Sequence, residues 1–385
     1  EEQKAVMDEI VDYAEQEKVD MVLVAGDVFD TFNPPVEAVD LLYKTLKRLA
    51  NNGMRPVVVI GGNHDNADRL DAPNPLAKEC GIIFLGSPLS IAPIMEIPNG
   101  FSITKSAEQF LEIQLPQINF PIRIIATAFA NEQRLKAYFD PENKIKSLNE
   151  ILQQKWQALA DEFCDDQGVN ILTTHLYMSK QGGEEFEECE GEKPLNIGNA
   201  DKVYSKAIPS QIQYTALGHL HQMHNVGTKE QPIVYSGSPV AYSFSEANQN
   251  KFVILLEAQP AQKVAYQKLK LTGGRKLERK TFVNVEDAEL WLQQNPTCLV
   301  ELTIVTDDFI SHADKEVLYA AHDGIIHLIP LLNAQNNQLS NFGEPVIARQ
   351  MSLEDLFQRF VKEKNGIEPS EGLMSVFFEI LNHKN

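Results

Sequence analysis

The apolar positions of the chain switch between helical and strand-like spacing from the first residues onward. Over 3–18, Ala5, Val6, Ile10, Val11 and Ala14 share one helical face, which predicts an amphipathic helix. Val19 to Ala25 is a compact β-branched run and predicts a buried strand ending in Gly26–Asp27. After the breaker Pro34–Pro35, Val36 to Ala50 returns to helical spacing. Pro56 to Ile60 then predicts a second buried strand, ending in Gly61–Gly62–Asn63–His64–Asp65. This alternation argues an α/β sandwich with mostly parallel pairing. Further strands are predicted at Ile122–Ala126, Val169–Thr173, Ile212–Leu217, Ile233–Tyr235 and Phe252–Leu256, with a helix over Ser147–Phe163.

From about Ala258 the texture changes. Val264–Leu271 and Leu299–Val305 alternate as strands do, and Val285–Gln294 and Lys315–Ala321 read as short helices. This predicts a small α+β unit over 258–335, following a first domain over 1–257. Polar residues from Asn333 to Asn341 lead into a linker, placed at 336–351. Two helices are predicted in 352–385, at Ser352–Lys364 and Ser370–His383, the first opened by the capping pair Ser352 and Asp355. One carries an apolar stripe through Leu356, Phe357 and Phe360, the other through Leu373, Val376 and Phe377.

Composition changes this picture in two ways. With 385 residues, 43% hydrophobic and 23% charged, the chain has material for two or three globular domains at ~150 residues each. No run of ~18 apolar residues predicts a membrane span, and no secretory signal is visible, so a cytoplasmic protein is expected. The four cysteines, Cys80, Cys164, Cys189 and Cys298, form no CxxC pair and read as ordinary thiols. A formal net charge of -20 repels nucleic acid. A DNA enzyme with this charge needs a local basic surface, bound cations, or a partner that supplies the grip.

The candidate chemistry lies in four places: Gly26–Asp27, Gly62–Asn63–His64–Asp65, His175, and Gly218–His219–Leu220–His221. Most follow predicted strands, so their side chains gather at carboxyl ends, where open α/β folds place ligands. Asp, Asn and His suit a pair of divalent cations acting on phosphate. A carboxylate can bridge two ions, while neutral imidazoles and an amide oxygen complete the shells without excess charge. A histidine off the metal can contact the phosphate or protonate the leaving oxygen. Tyr235, Ser236 and Ser238 read as a plain turn, and the acidic stretch 184–192 as a solvated loop.

GDVFD at 26–30, GNHD at 62–65, His175 in TTHL and GHLH at 218–221 resemble the calcineurin-like metallophosphoesterase superfamily. VAGDVFDTFNPP, VVVIGGNHDNADRL, YTALGHLHQ and YSGSPVAYSFSE are similar to its SbcD nuclease branch, over roughly 1–257. The resemblance implies a four-layer α/β/β/α sandwich with a small capping domain and C-terminal helices. It implies that Asp27 bridges two metals, that Asn63, His175 and His219 complete one shell, that His221 serves the other, and that His64 is catalytic. We read Asp65 as orienting His64. Manganese is the implied metal, two ions, with Mg2+, Fe2+ or Zn2+ compatible with the same donors. DNA, an SbcC-type ATPase with a coiled coil, and a second copy of the chain are the implied partners, with Val36–Ala50 a candidate dimer helix. Leu356, Phe357, Phe360 and Phe377 are candidates for docking the ATPase. Arg275, Lys276, Arg279 and Lys280 are candidates for the DNA backbone.

One departure stands out. The superfamily's Asp-x-His motif is absent, and it is expected upstream of Glu1, which leaves Asp27 and His221 as the ligands of the second ion. The function expected is a metal-dependent DNA exonuclease and endonuclease, processing double-strand ends and hairpins in repair and recombination. The rivals are a phosphoesterase on small nucleotides or phosphoproteins, and a non-catalytic scaffold with an incomplete metal site.

Overall fold

A computed structural model describes residues 1–137, 144–183, 202–307, 310–332, 357 and 373–374. The chain opens with α1 (Glu2–Gln16), β1 (Val22–Ala25), α2 (Val36–Leu49) and β2 (Val57–Ile60). Two short helices, α3 (Ala67–Asp71) and α4 (Asn74–Ala77), lead to β3 (Ile82–Leu85). The three strands form one parallel sheet in the order β1-β2-β3. A second sheet follows, built from β4 (Met95–Glu96), β5 (Ser102–Ala107), β6 (Phe110–Gln114), β7 (Ile122–Thr127), β8 (Val169–His175), β11 (Tyr214–Gly218), β12 (His224–Asn225) and β13 (Ile233–Tyr235). Helices α5 (Glu132–Leu135) and α6 (Lys144–Phe163) interrupt it, as does a small parallel pair, β9 (Tyr177–Ser179) and β10 (Lys202–Tyr204). Its order is β12-β13-β11-β8-β7-β6-β5-β4. The central strands β13, β11, β8 and β7 are parallel, and β6, β5 and β4 fold back antiparallel.

Strand alternation sorts the core into layers. Val57 and Val59 of β2, and Ile82 and Phe84 of β3, pack against Val11, Ala14, Leu46 and Leu49 of α1 and α2. Their neighbours Val58, Ile60, Ile83 and Leu85 face the other way, onto Ile113, Ile122, Ile124, Ile171 and Val234 of the second sheet. The far face of that sheet, with Ile125, Leu172, Leu217 and Tyr235, is covered by Leu148, Leu152, Trp156 and Ala160 of α6. A period of two along each strand thus yields four layers, α/β/β/α. Each fully buried aliphatic side chain contributes roughly 1.5–3 kcal/mol. Trp156 keeps its one donor satisfied by giving Nε1–H to Thr127 Oγ1 at 2.9 Å.

The block between 82 and 114 is where the structure adds most to the sequence pattern: β3 to β6 were not anticipated. They are short strands joined by tight turns, and windowed periodicity resolves such strands poorly.

β14 (Lys251–Glu257) pairs antiparallel with β15 (Ala265–Leu271), so this hairpin spans the expected boundary at 257/258. Beyond it, β16 (Leu277–Phe282), α7 (Val285–Gln294), β17 (Leu299–Thr306), α8 (His312–Ala321) and β18 (Ile325–Leu332) form a unit with its own core of Leu292, Val300, Leu302 and Leu318. Its strands are all parallel, in the order β16-β17-β18, with the helices as crossovers. β16 was missed because its LERKTF sequence is polar, and β18 because Pro330 argues against a strand. As β18 is at the edge of its sheet, the missing N–H is tolerated. Ser311 caps α8 by accepting from Asp314 N at 3.1 Å.

In α2, Leu46 and Leu49 face the core while Val36 is exposed and Tyr43 stands near the surface. The linker and most of the C-terminal helices lie outside the described residues, including Leu356, Phe360 and Phe377. Phe357 is helical and half-buried, and Leu373 is helical and exposed. The acidic stretch 184–192 also lies outside. No helix among the described residues is long and apolar enough to cross a membrane.

Candidate metal centre

The carboxyl ends of β1, β2, β8 and β11 meet where the two sheets come together. The approach is close enough to require glycine. A Cβ on Gly218, the last residue of β11, would lie 1.7 Å from the Ala25 carbonyl oxygen of β1. One on Gly62 would lie 2.1 Å from Asp27 Oδ1. Asp27 and His219, one residue past these strand ends, adopt φ of 48° and 110°. Two non-glycine residues in the left-handed region, both at candidate ligands, are the local strain that functional sites hold in place.

Three side chains converge tightly. Ligating atoms of Asp27, His175 and His219 all lie within 4.8 Å of one another. His175 Nε2 is 3.1 Å from Asp27 Oδ2 and 2.9 Å from Asn63 Oδ1, so Asn63 joins the same group. His175 Nδ1 is 2.8 Å from the Ala25 carbonyl. A carbonyl only accepts, so Nδ1 carries the proton and Nε2 of the neutral ring offers a lone pair. That lone pair faces two oxygens that also have only lone pairs to offer. Such an arrangement of acceptors calls for a cation at its centre, or failing that a second proton on His175. Burial works against a charged His175, but the Asp27 carboxylate outweighs it and raises the imidazole above its usual value. Burial likewise opposes the Asp27 charge, and His175 with the His64 backbone N–H overcomes it, holding the carboxyl well below the usual range. The donor set of one carboxylate, one amide oxygen and two imidazoles fits a divalent first-row cation.

His64 is buried beside this group, and its backbone N–H donates to Asp27 Oδ1 at 3.0 Å. Asp65 does something other than orient it. Its carboxylate accepts from Gly62 N at 2.8 Å, Val28 N at 3.0 Å and Phe29 N at 3.0 Å, tying the 61–65 loop to the 26–29 loop. The His64 ring instead has Nδ1 2.9 Å from the Asp30 carbonyl and 3.4 Å from Asp30 Oδ1. Aspartate two residues past a strand end was near enough for both roles on paper, and only the fold assigns them.

His221 is outside the tight cluster but shares a cavity of about 1150 Å3 with Asp27, His175 and His219. Its Nδ1 lies 3.2 Å from Glu246 Oε1. Several contributors had no separate signal in the sequence. Arg134 donates to the Gly62 carbonyl at 3.0 Å and the Asp65 carbonyl at 2.7 Å, clamping the 61–65 loop, and stacks over Phe129 at 5.1 Å. Tyr242 stands 5.5 Å from the His221 ring. Tyr235 is a core residue, its hydroxyl donating to the Leu176 carbonyl at 2.8 Å.

The four basic candidates sit at the start of the small unit. Arg275 pairs with Glu2, Arg279 with Glu301 at 2.6 Å, and Lys280 with Glu278 at 3.5 Å and the Trp291 ring at 5.3 Å. Lys276 is exposed.

Residues 1–223 match the calcineurin-like phosphoesterase family, and the chain belongs to it. Over 387 aligned residues the chain is 32% identical to a Bacillus subtilis (strain 168) protein named as the SbcD component of the nuclease SbcCD, covering 98% of this chain and 92% of the relative.

Proposed function

We propose that the chain is the nuclease subunit of an SbcCD-type complex, hydrolysing DNA phosphodiesters at double-strand ends and hairpins together with an SbcC-type ATPase. The observation that carries this reading is the convergence of Asp27, Asn63, His175 and His219 as lone-pair donors around one point, with His64 held alongside. We take Asp27, Asn63, His175 and His219 as one metal shell and Asp27 with His221 as part of a second, and Mn2+ as the working ion. Two bound divalent ions would polarise the phosphate and lower the pKa of a water nucleophile.

The chain's own residues do the rest. Asp27 offers one oxygen to the metal group while the other is fixed by the His64 N–H. With Nδ1 directed at the Asp30 carbonyl, the Nε2 edge of His64 is the one that would meet a scissile phosphate. Protonated on both nitrogens, it would donate to the phosphate and then to the leaving oxygen. The loop contacts of Asp65 and Arg134 keep that ring in register with the metal group.

The net charge of -20 argues that affinity for DNA comes from elsewhere. The ATPase, docked through the C-terminal helices at Leu356, Phe357, Phe360 and Phe377, is the source we infer. Arg275, Lys276, Arg279 and Lys280 would exchange acidic neighbours for phosphates, and a homodimer through α2 would place two such sites side by side. The test is degradation of linear duplex DNA by the full chain with its ATPase partner, in Mn2+ and then in EDTA. Mn2+-dependent loss of duplex is expected. Turnover of bis-p-nitrophenyl phosphate with no attack on duplex under any of these conditions would point to a small-substrate phosphoesterase instead.

A further inference from the structure

Glu246 is fully buried, and a buried carboxylate is costly unless its partners are well placed. It lies in the turn Phe244–Glu246, outside the four ligand loops. Its two oxygens divide their work. Oε2 receives Lys251 Nζ and Ser238 Oγ, the latter at 3.3 Å. Oε1 receives the Tyr242 backbone N–H at 3.1 Å and faces His221 Nδ1 at 3.2 Å. Lys251, also buried, donates in addition to the His221 carbonyl at 3.0 Å, and Ser238 N donates to the same carbonyl at 3.0 Å. The network therefore grips both the ring and the main chain of one histidine. A pair that served only to staple the 238–251 segment would not need the ring contact.

Lys251 and His221 hold the Glu246 carboxyl down at about 2 against the opposing effect of burial, so it is ionised and can only accept. His221 Nδ1 must then be the protonated nitrogen, and Nε2 is the one left to ligate.

We propose that Glu246, braced by Lys251, is a positioning residue that fixes the tautomer and ring orientation of His221 for the second metal ion. This rests on the reading of His221 as a metal ligand. A carboxylate behind a ligating histidine is worth 10–100-fold in metal affinity.

The experiment is a titration of the metal-free full chain with Mn2+, following free Mn2+ by electron paramagnetic resonance, alongside thermal unfolding. Four proteins are compared with wild type: His221→Ala, Glu246→Gln, Glu246→Asp, and His221→Ala with Glu246→Gln combined. Glu246→Asp keeps a carboxylate beside Lys251 but shortens its reach to the ring, so it reports even where Glu246→Gln fails to fold. The expected result is a 10–100-fold weakening, in the Glu246 variants, of the Mn2+ binding that His221→Ala removes. The double variant should be no weaker than His221→Ala alone, because Glu246 acts through that ring. The proposal is overturned if the Glu246 variants keep wild-type affinity while His221→Ala loses it, or if the double variant loses further affinity. Wild-type Mn2+ binding by His221→Ala would instead remove the ligand assignment of His221 itself, a separate failure.

Discussion

Replacing Gly218 with alanine tests whether the meeting of the two sheets sets the metal geometry. The added Cβ would lie 1.7 Å from the Ala25 carbonyl oxygen and 2.7 Å from His175 Nδ1. Real Cβ contacts essentially never fall under 3.0 Å, so the Ala25 carbonyl and the end of β11 must separate by at least 1.3 Å. Neither is a flexible side-chain tip; both are strand backbone. The casualty is the 2.8 Å bond by which Ala25 orients His175. Leaving that buried partner unsatisfied costs about 1–3 kcal/mol, within the range for overpacking a tight core. Catalysis should suffer more than stability, because a misplacement of about 1 Å costs on the order of 100-fold. That loss corresponds to about 2.7 kcal/mol of transition-state stabilisation. The assay pairs Mn2+-dependent phosphodiester hydrolysis with thermal unfolding of the same preparation. We expect a folded Gly218→Ala protein with activity down at least 100-fold. Activity within about threefold of wild type, at an unchanged melting temperature, would refute the idea that the β1–β11 approach sets the site.

His64→Ala should lower the hydrolysis rate by roughly 10²–10⁴-fold with metal content near wild type, whereas His219→Ala should lose metal as well; equal metal loss in both, read by elemental analysis, would put His64 in the coordination shell. In the metal-free protein His175 has a raised pKa, so its contribution to stability is present at low pH and lost as pH rises through the folded value. A bound cation needs that Nε2 deprotonated, so Mn2+ binding near pH 7 should release a proton and weaken as pH falls. Calorimetry in two buffers of different ionisation enthalpy measures the release, and identical heats would contradict it. Burial pushes the Cys164 thiol up to about 11. At pH 8 about one thiol in a thousand is then ionised, so iodoacetamide should modify Cys164 slowly in the native protein and readily after unfolding. Mass spectrometry showing fast native labelling would contradict that burial.

Much of the first domain was legible in the sequence because its strands are buried on both faces and therefore read as unbroken apolar runs. β2, with Val57 to Ile60, and β8, ending in His175, are of this kind. The ligand residues were legible for a related reason: Asp27, Asn63 and His219 each sit next to a glycine at a strand end, and a sharp turn leaves few choices of residue there. What the local pattern could not hold is any pairing between distant segments. Asp30, Asp65, Arg134 and Glu246 are ordinary polar residues in loops, and nothing nearby in sequence says that Asp65 joins two loops while Asp30 meets His64. Hydrogen bonds are directional and act over about 3 Å, so which carboxylate serves which histidine depends on how two sheets stack. Apolar burial is non-directional and repeats along the chain, which is why layers and ligand types were visible in the order of residues, and the partners of each ligand were decided only in three dimensions.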